Sequence, residues 1–360
     1  MKQIKKNYVS AHSGYIMIFT LLIIAAAMTV VTYVGHRGSF YVPFSSMSLA
    51  REKAKEIALG GIQVGMAQLA KTVKPEENKE NKKDASDKQE SNTPEKDFLK
   101  RILPVLNRWQ HFDLKEEIDG IDAQISICIM CEDGKINLNR IIDFEKGAFR
   151  GDDKSGWKAI MQEICKLINQ THKGTDLFVA FEKIIKEMKY PFNDATELIT
   201  HKEFQQFNDT LFYRPPTSDK QTSLYLTDIF TIWSRSDKLE PWLFSDSING
   251  LFGLPRVEVD DIKKRKDQIE AWIKNFKIRA NWQQDWQTLL MPVYGKELRT
   301  LPKNIDSVLK PTFAPQYFSI LVDGKVDDVT QRVYAIVERT KHSQGNTVEY
   351  DIKIIKLYWL

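Results

Sequence analysis

Residues Tyr15–Val34 read YIMIFTLLIIAAAMTVVTYV, twenty positions without a charge or a proline. A helix of that length rises roughly 30 Å, the thickness of a bilayer's hydrocarbon core. The fold therefore has to accommodate one apolar rod close to its start. The stretch before it, MKQIKKNYVSAHSG, carries Lys2, Lys5 and Lys6 and no acid, which predicts a cytoplasmic start and an exported remainder. A secretory signal would have a shorter apolar core followed by a small-x-small cleavage site. Here the run is long, Gly35-His36-Arg37-Gly38 follows it, and the small residue placed for cleavage, Gly14, precedes it. Two readings fit: a short basic leader cut after Gly14 so that Tyr15 begins a retained helix, or a single-pass anchor with an uncut tail.

The 360 residues leave room for two domains beyond the anchor. A formal charge of +4 is small for this length and leaves no nucleic-acid footprint. Cys128, Cys131 and Cys165 do not make a disulfide framework. Cys128-Ile-Met-Cys131 has redox-motif spacing, but it lies in ISICIMCEDG, which reads as a strand. Residues three apart on a strand face opposite ways, so buried thiols are expected rather than a bridge or a thioredoxin-like site. Zinc would lack a fourth ligand and a nearby His pair.

Along the chain, Gly38–Ser46 (GSFYVPFSS) is expected to interrupt the helix, with Pro43 as the kink. Leu49, Ala50, Ala54, Ile57, Ala58, Gly61, Ile62, Gly65, Met66 and Leu69 then recur at three and four, a helix with one narrow apolar stripe. Its small members Ala54, Ala58, Gly61 and Gly65 would let a sheet or a helix come close. Lys74–Lys96 holds thirteen charges in twenty-three residues and only Ala85 as an aliphatic side chain, which predicts a disordered linker. Asp97–Trp109 reads as a short helix broken at Pro104. Gly120–Met130 alternates Ile121, Ala123, Ile125, Ile127 and Ile129 as a half-buried strand. Asp133-Gly134 reads as a turn after which Ile136 and Leu138 resume the alternation.

From residue 151 to 310 the pattern is helical, with stripes on Trp157–Ile168, Leu177–Met188, Val259–Phe276 and Trp282–Leu290; Leu224–Trp233 reads as extended. The last fifty residues return to strands: Phe318, Ile320 and Val322 before an expected Asp323-Gly324 turn, then a hairpin around His342–Asn346. A strand, a helical block and more strands predict an α+β fold: a long N-terminal transmembrane and amphipathic helix, an antiparallel sheet, and a large, mostly helical insert.

Catalytic patterns do not emerge. The six histidines (His12, His36, His111, His172, His201, His342) are scattered, and there is no HExxH, GxSxG, GxxxxGK[ST] or GxGxxG. Asp152-Asp153 and Asp260-Asp261 read as solvated helix caps. The chain is therefore not expected to be an enzyme. Ile248–Lys266 (INGLFGLPRVEVDDIKKRK) has the outline of a helix-hairpin-helix, but outside a membrane, with acids interleaved, it reads as a packing hairpin with a solvated basic face.

Taken together, the Gly14/Tyr15 junction, AREKAKEIALGGIQVGMAQLA, CEDGKINLN at Cys131–Asn139, LTDIFTI at Leu226–Ile232, INGLFGLP, and the closing FSILVDG, VYAIVER and LYWL resemble the K-type minor pseudopilin of type II secretion systems. The resemblance runs through the chain except for the charged insert at Lys74–Lys96. It implies a prepilin-type leader at residues 1–14, a transmembrane helix at 15–34, its amphipathic continuation at 35–73 and the linker at 74–96. A pilin-like domain would follow at 97–150, interrupted by a helical domain at 151–310 and completed at 311–360. It also implies an inner-membrane, single-pass subunit with a cytoplasmic N-terminus and a periplasmic bulk, cut by a prepilin peptidase at Gly14–Tyr15. Implied partners are other minor pseudopilins, the major pseudopilin and the inner-membrane assembly platform, with no nucleic acid expected. No cofactor is implied beyond calcium, known in some members and not assignable to residues here. Counting from Tyr15, the fifth position is Phe19, where most pilins and pseudopilins carry Glu; K-type subunits lack it, which fits first place at a fibre tip. Ala25-Ala26-Ala27 offers a small-residue face for helix packing in lipid. A minor pilin of a type IV pilus or DNA-uptake apparatus, and an uncut membrane-anchored periplasmic binding protein, are the alternatives.

Overall fold

The structure is a computed structural model that describes residues 12–70, 93–151, 156–171, 176–215, 223–255, 262–344 and 347–360. Helix α1 (His12–Ala70) is continuous. The interruption expected at Gly38–Ser46 does not occur, because Pro43 removes a single N–H from a long ladder of intrahelical bonds. Residues 17–37 and 44–49 are exposed on all sides, whereas Ala50, Ala54, Ala58, Gly61, Ile62, Gly65 and Leu69 are buried.

The linker reading is corrected at its end. Thr93 caps helix α2 (Pro94–Ile102), its side chain accepting a hydrogen bond from the Lys96 N–H at 3.3 Å. Pro94 suits a first turn, and Glu95 and Asp97 there oppose Lys100 and Arg101 in the last, as the helix dipole favours. Residues 74–92 of the expected linker lie outside the described residues.

Strands β1 (Trp109–Leu114), β2 (Ala123–Cys131), β3 (Tyr317–Val326), β4 (Val329–Gln344) and β5 (Thr347–Trp359) form one antiparallel sheet in that order. The polar edge strand β1 was not anticipated. Strand β2 thus lies beside β3, and the chain between them forms the insert, with helices α3 (Trp157–Thr171), α4 (Leu177–Glu187), α5 (Asp246–Leu251), α6 (Ile262–Ile273) and α7 (Trp282–Leu289).

Three local readings change. Asp323-Gly324 is no turn: β3 passes straight through it, and the chain reverses after Val326, with Asp327 at φ 52°. Gly324 serves the crossing of α1 instead, since a Cβ there would meet the Ala54 carbonyl oxygen at 2.5 Å and the Ala58 nitrogen at 2.7 Å. The same crossing uses Gly61 and Gly65, whose added Cβ atoms would stand 2.5 Å from Val322 and 2.8 Å from Ile320. Ile136 does not resume the sheet: Ile136-Asn137 pairs in parallel with Phe230-Thr231 in the insert, and Leu138–Ile141 is a helical turn. Within Leu224–Trp233, Leu226–Ile229 is also a helical turn, leaving only Phe230-Thr231 extended.

The sheet is covered on both faces. Ile129, Cys131, Phe318, Ile320, Val322, Ala335 and Val337 share a core with Ala58, Ile62, Leu69 and Phe98 from α1 and α2. Cys128, Met130, Leu321, Tyr334 and Ile336 share another with Tyr213 and, at its margin, Phe212, Tyr225 and Trp233 from the insert. Cys128 and Cys131 are therefore free thiols in separate cores, and burial pushes both well above the ordinary thiol range.

Candidate functional site

Two features stand out, an exposed apolar rod and a buried ionic joint. Residues Met17–Arg37 of α1 are long and apolar enough to cross a membrane and are exposed throughout. The Thr20, Thr29 and Thr32 hydroxyls donate to the carbonyls of Met17, Ala25 and Met28 at 3.0, 2.8 and 2.8 Å. These polar groups are thus satisfied inside the helix, as a hydrocarbon environment requires. At the far end the Arg37 guanidinium lies 4.8 Å from the Tyr33 ring centroid, an aromatic and cationic pair of the kind that sits at a headgroup boundary. Gly14 and Tyr15 lie in the first turns of the α1 backbone; their side chains are outside the described residues. Phe19, one turn beyond Tyr15, is exposed.

The joint begins where β2 ends. Glu132-Asp133-Gly134 forms a tight turn, and Gly134 is required there because a Cβ would fall 1.8 Å from the Leu243 carbonyl oxygen. The turn delivers three charged side chains to the interior, Glu132, Asp133 and Lys135, each at most 2 % exposed. Lys135 Nζ meets Glu132 Oε1 at 2.5 Å. Thr231 donates to Glu132 Oε2 at 2.5 Å, and Ser319 on β3 donates to Oε1 at 2.7 Å. Asp133 accepts from the backbone N–H groups of Gln316 and Tyr317 at 2.6 and 3.0 Å and from the Ser234 hydroxyl at 2.8 Å. Asn137 donates to the Ser234 carbonyl.

One short segment thus fastens the end of β2, the start of β3 and the insert's 230–234 stretch to one another. Burial alone would depress the Lys135 ammonium, but Glu132, with Tyr334 and Asp228 behind it, outweighs that and raises it. Asp228, fully buried beside the joint, accepts from the Ser247 N–H at 2.8 Å, and desolvation lifts its carboxyl to about 6. Tyr213 donates to Asp246 at 2.5 Å on the same side. These side chains are buried, and their bonds tie the elements together.

Among the described residues no group of three or more His, Cys, Asp and Glu could hold a metal ion. Asp152-Asp153 and Asp260-Asp261 lie outside the described residues, as do the side chains of Lys263–Lys266 in the expected hairpin.

No family model matches the chain, and no curated protein does. Among solved structures it is similar to a chain in the crystal structure of the GspK-GspI-GspJ complex from the type 2 secretion system of enterotoxigenic Escherichia coli. That match has 11% identity over 90% of this chain and 99% of the other, with a TM-score of 0.40.

Of the residues singled out from sequence, Gly14, Tyr15 and Phe19 share the start of α1. CEDGKINLN and LTDIFTI, far apart in the chain, meet at the joint through the Ile136–Phe230 pairing and the Thr231–Glu132 bond. Sequence reasoning missed that Glu132, Asp133 and Lys135 are interior residues. The available signal was their place directly after an apolar strand, with INLNRII following at once.

Proposed function

We propose that this chain is a minor pseudopilin of the K type, seated at the tip of a type II secretion pseudopilus and acting through assembly rather than catalysis. The observation that carries this reading is the division of α1. Its first part is a bare apolar rod with no acid at Phe19, and its second is pressed into an antiparallel sheet through Gly61 and Gly65. The quoted motifs support it in their order along the chain.

In this reading the prepilin peptidase cuts the Gly14–Tyr15 bond on the cytoplasmic side. Tyr15 becomes the new N-terminus and the helix stays in the inner membrane. A carboxylate in hydrocarbon is expensive without a partner, so a subunit with nothing above it gains by carrying Phe19 in its place. Residues 151–310 form the bulky periplasmic domain that leaves no room for a further subunit. Partners are other minor pseudopilins, as GspI and GspJ are in the GspK complex, together with the major pseudopilin and the membrane platform.

Co-expression with a prepilin peptidase, followed by intact-mass measurement, tests the reading. The expected product begins at Tyr15, and a chain still beginning at Met1 in the presence of active peptidase refutes it.

A further inference from the structure

The joint buries five carboxylates, Glu132, Asp133, Asp228, Glu240 and Asp246, around one ammonium, Lys135, among the described residues. Three of the acids are well served. Glu132 has Lys135 and two hydroxyls, Asp133 has three donors, and Asp246 has the Tyr213 hydroxyl. Asp228 is served on one oxygen only. Glu240 is the exception, because it is 0 % exposed and neither of its carboxyl oxygens has a hydrogen-bond partner.

Its backbone explains why it sits there. The Glu240 N–H donates to the Asp133 carbonyl at 2.8 Å, while Leu239 exchanges bonds with Val308 and Lys310 at 2.9 and 2.7 Å. Glu240 is thus the crossing point between the turn that leaves the sheet and the segment that returns to it. The groups facing its carboxyl are Lys310, whose ammonium instead reaches the Ala314 carbonyl at 2.7 Å, the Asp133 carboxylate, the Tyr294 phenol and the Cys131 thiol. The backbone N–H groups of Trp242 and Ala314 lean toward it without completing a hydrogen bond. An anion here would have no solvent and no completed hydrogen bond, with the attraction of Lys310 opposed by the Asp133 carboxylate.

We propose that the joint between sheet and insert is proton-loaded: Glu240 is seated as the neutral acid at neutral pH, and removing its proton loosens the crossing between the Asp133 turn and the returning 308–314 segment. Burial, reinforced by Asp133 and only partly offset by Lys310, places its titration at about 8, well above its ordinary 4.5. The folded chain therefore holds a proton that the unfolded chain has lost, so stability falls as pH rises through this window and levels off above it. At most, the unfolding constant rises about tenfold per pH unit between pH 6 and 8.

The test uses the full-length protein in detergent, with glutamate carboxyl carbons isotopically labelled. One glutamate titrating near pH 8, absent from Glu240→Gln, is the expected result. Denaturant unfolding from pH 6 to 9 should show the wild type weakening and Glu240→Gln holding its midpoint, with faster amide exchange at 308–314 in the wild type alone. If Glu240→Gln does not fold, the wild-type titration decides. Every glutamate titrating in the ordinary carboxylate range, or identical pH profiles for the two proteins, overturns the proposal.

Discussion

Gly324 and Ala54 meet main chain to main chain: a Cβ on the glycine would stand 2.5 Å from the alanine's carbonyl oxygen. One belongs to a strand paired on both sides and the other to a helix interior, so neither can step aside. Gly324→Ala is expected to lower stability by about 1–3 kcal/mol, the usual range for overpacking. Denaturant melts of the full-length protein check this, with the exposed neighbour Lys325→Ala as a control. Equal midpoints for the glycine variant and the wild type would contradict the close approach.

Lys135 supplies the only buried ammonium that Glu132 contacts among the described residues. Lys135→Met leaves that carboxylate buried and short of its charge partner, and a loss of about 3–5 kcal/mol is expected. The double change Lys135→Met with Glu132→Gln should recover a substantial part of the loss. A double variant no better than the single one would show that shape, not charge, is what Lys135 contributes.

Asp228 sets a second pH dependence on the acid side. Its folded carboxyl is raised from 3.8 to about 6 by burial, with Lys135 opposing the rise. The folded state therefore retains a proton that the unfolded state has released, and stability falls as pH climbs from 4 to 6. The change is roughly 3 kcal/mol at most. Asp228→Asn should reduce the slope in this window to the part that Glu240 supplies above its ordinary 4.5, leaving the slope above pH 6 intact. Urea titrations at pH 4, 5 and 6 on both proteins read it directly.

Arg339 on β4 donates from Nε to the Leu69 carbonyl at 3.0 Å while its guanidinium lies 3.9 Å from the Phe98 ring centroid and 3.3 Å from that of Tyr350. A planar cation between two rings is not replaced by an ammonium. Arg339→Lys is expected to lose about 1–2 kcal/mol and to speed amide exchange in the last turn of α1. Unchanged exchange there would mean the helix end is held by its packing alone.

How much of this was legible depended on whether a residue's neighbours in sequence were also its neighbours in space. The apolar rod, the stripes of α3, α4 and α7, and the β4–β5 hairpin could be read because each pattern repeats locally. The slim residues of α1 also announced a close approach, although not what approaches. β1 escaped because WQHFDL is an edge strand with only a partly covered face and no clean alternation. Gly324 was misread as a turn because its constraint comes from Ala54 and Ala58, remote in sequence. Glu132, Asp133 and Lys135 look like solvated surface in a one-dimensional reading, since their partners Thr231, Ser234, Tyr317 and Ser319 lie far along the chain. Glu240 gave no sign at all, because burial without a hydrogen bond has no sequence pattern.

Helix α1 is 59 residues long, about 90 Å at the usual rise, and its last turn is gripped by Arg101 at the Gln68 carbonyl and by Arg339 at that of Leu69. No loop interrupts it between His12 and Ala70. The apolar span and the segment that packs on the sheet therefore share one unbroken backbone ladder, so a displacement of either end is passed along the helix and not absorbed in a loop.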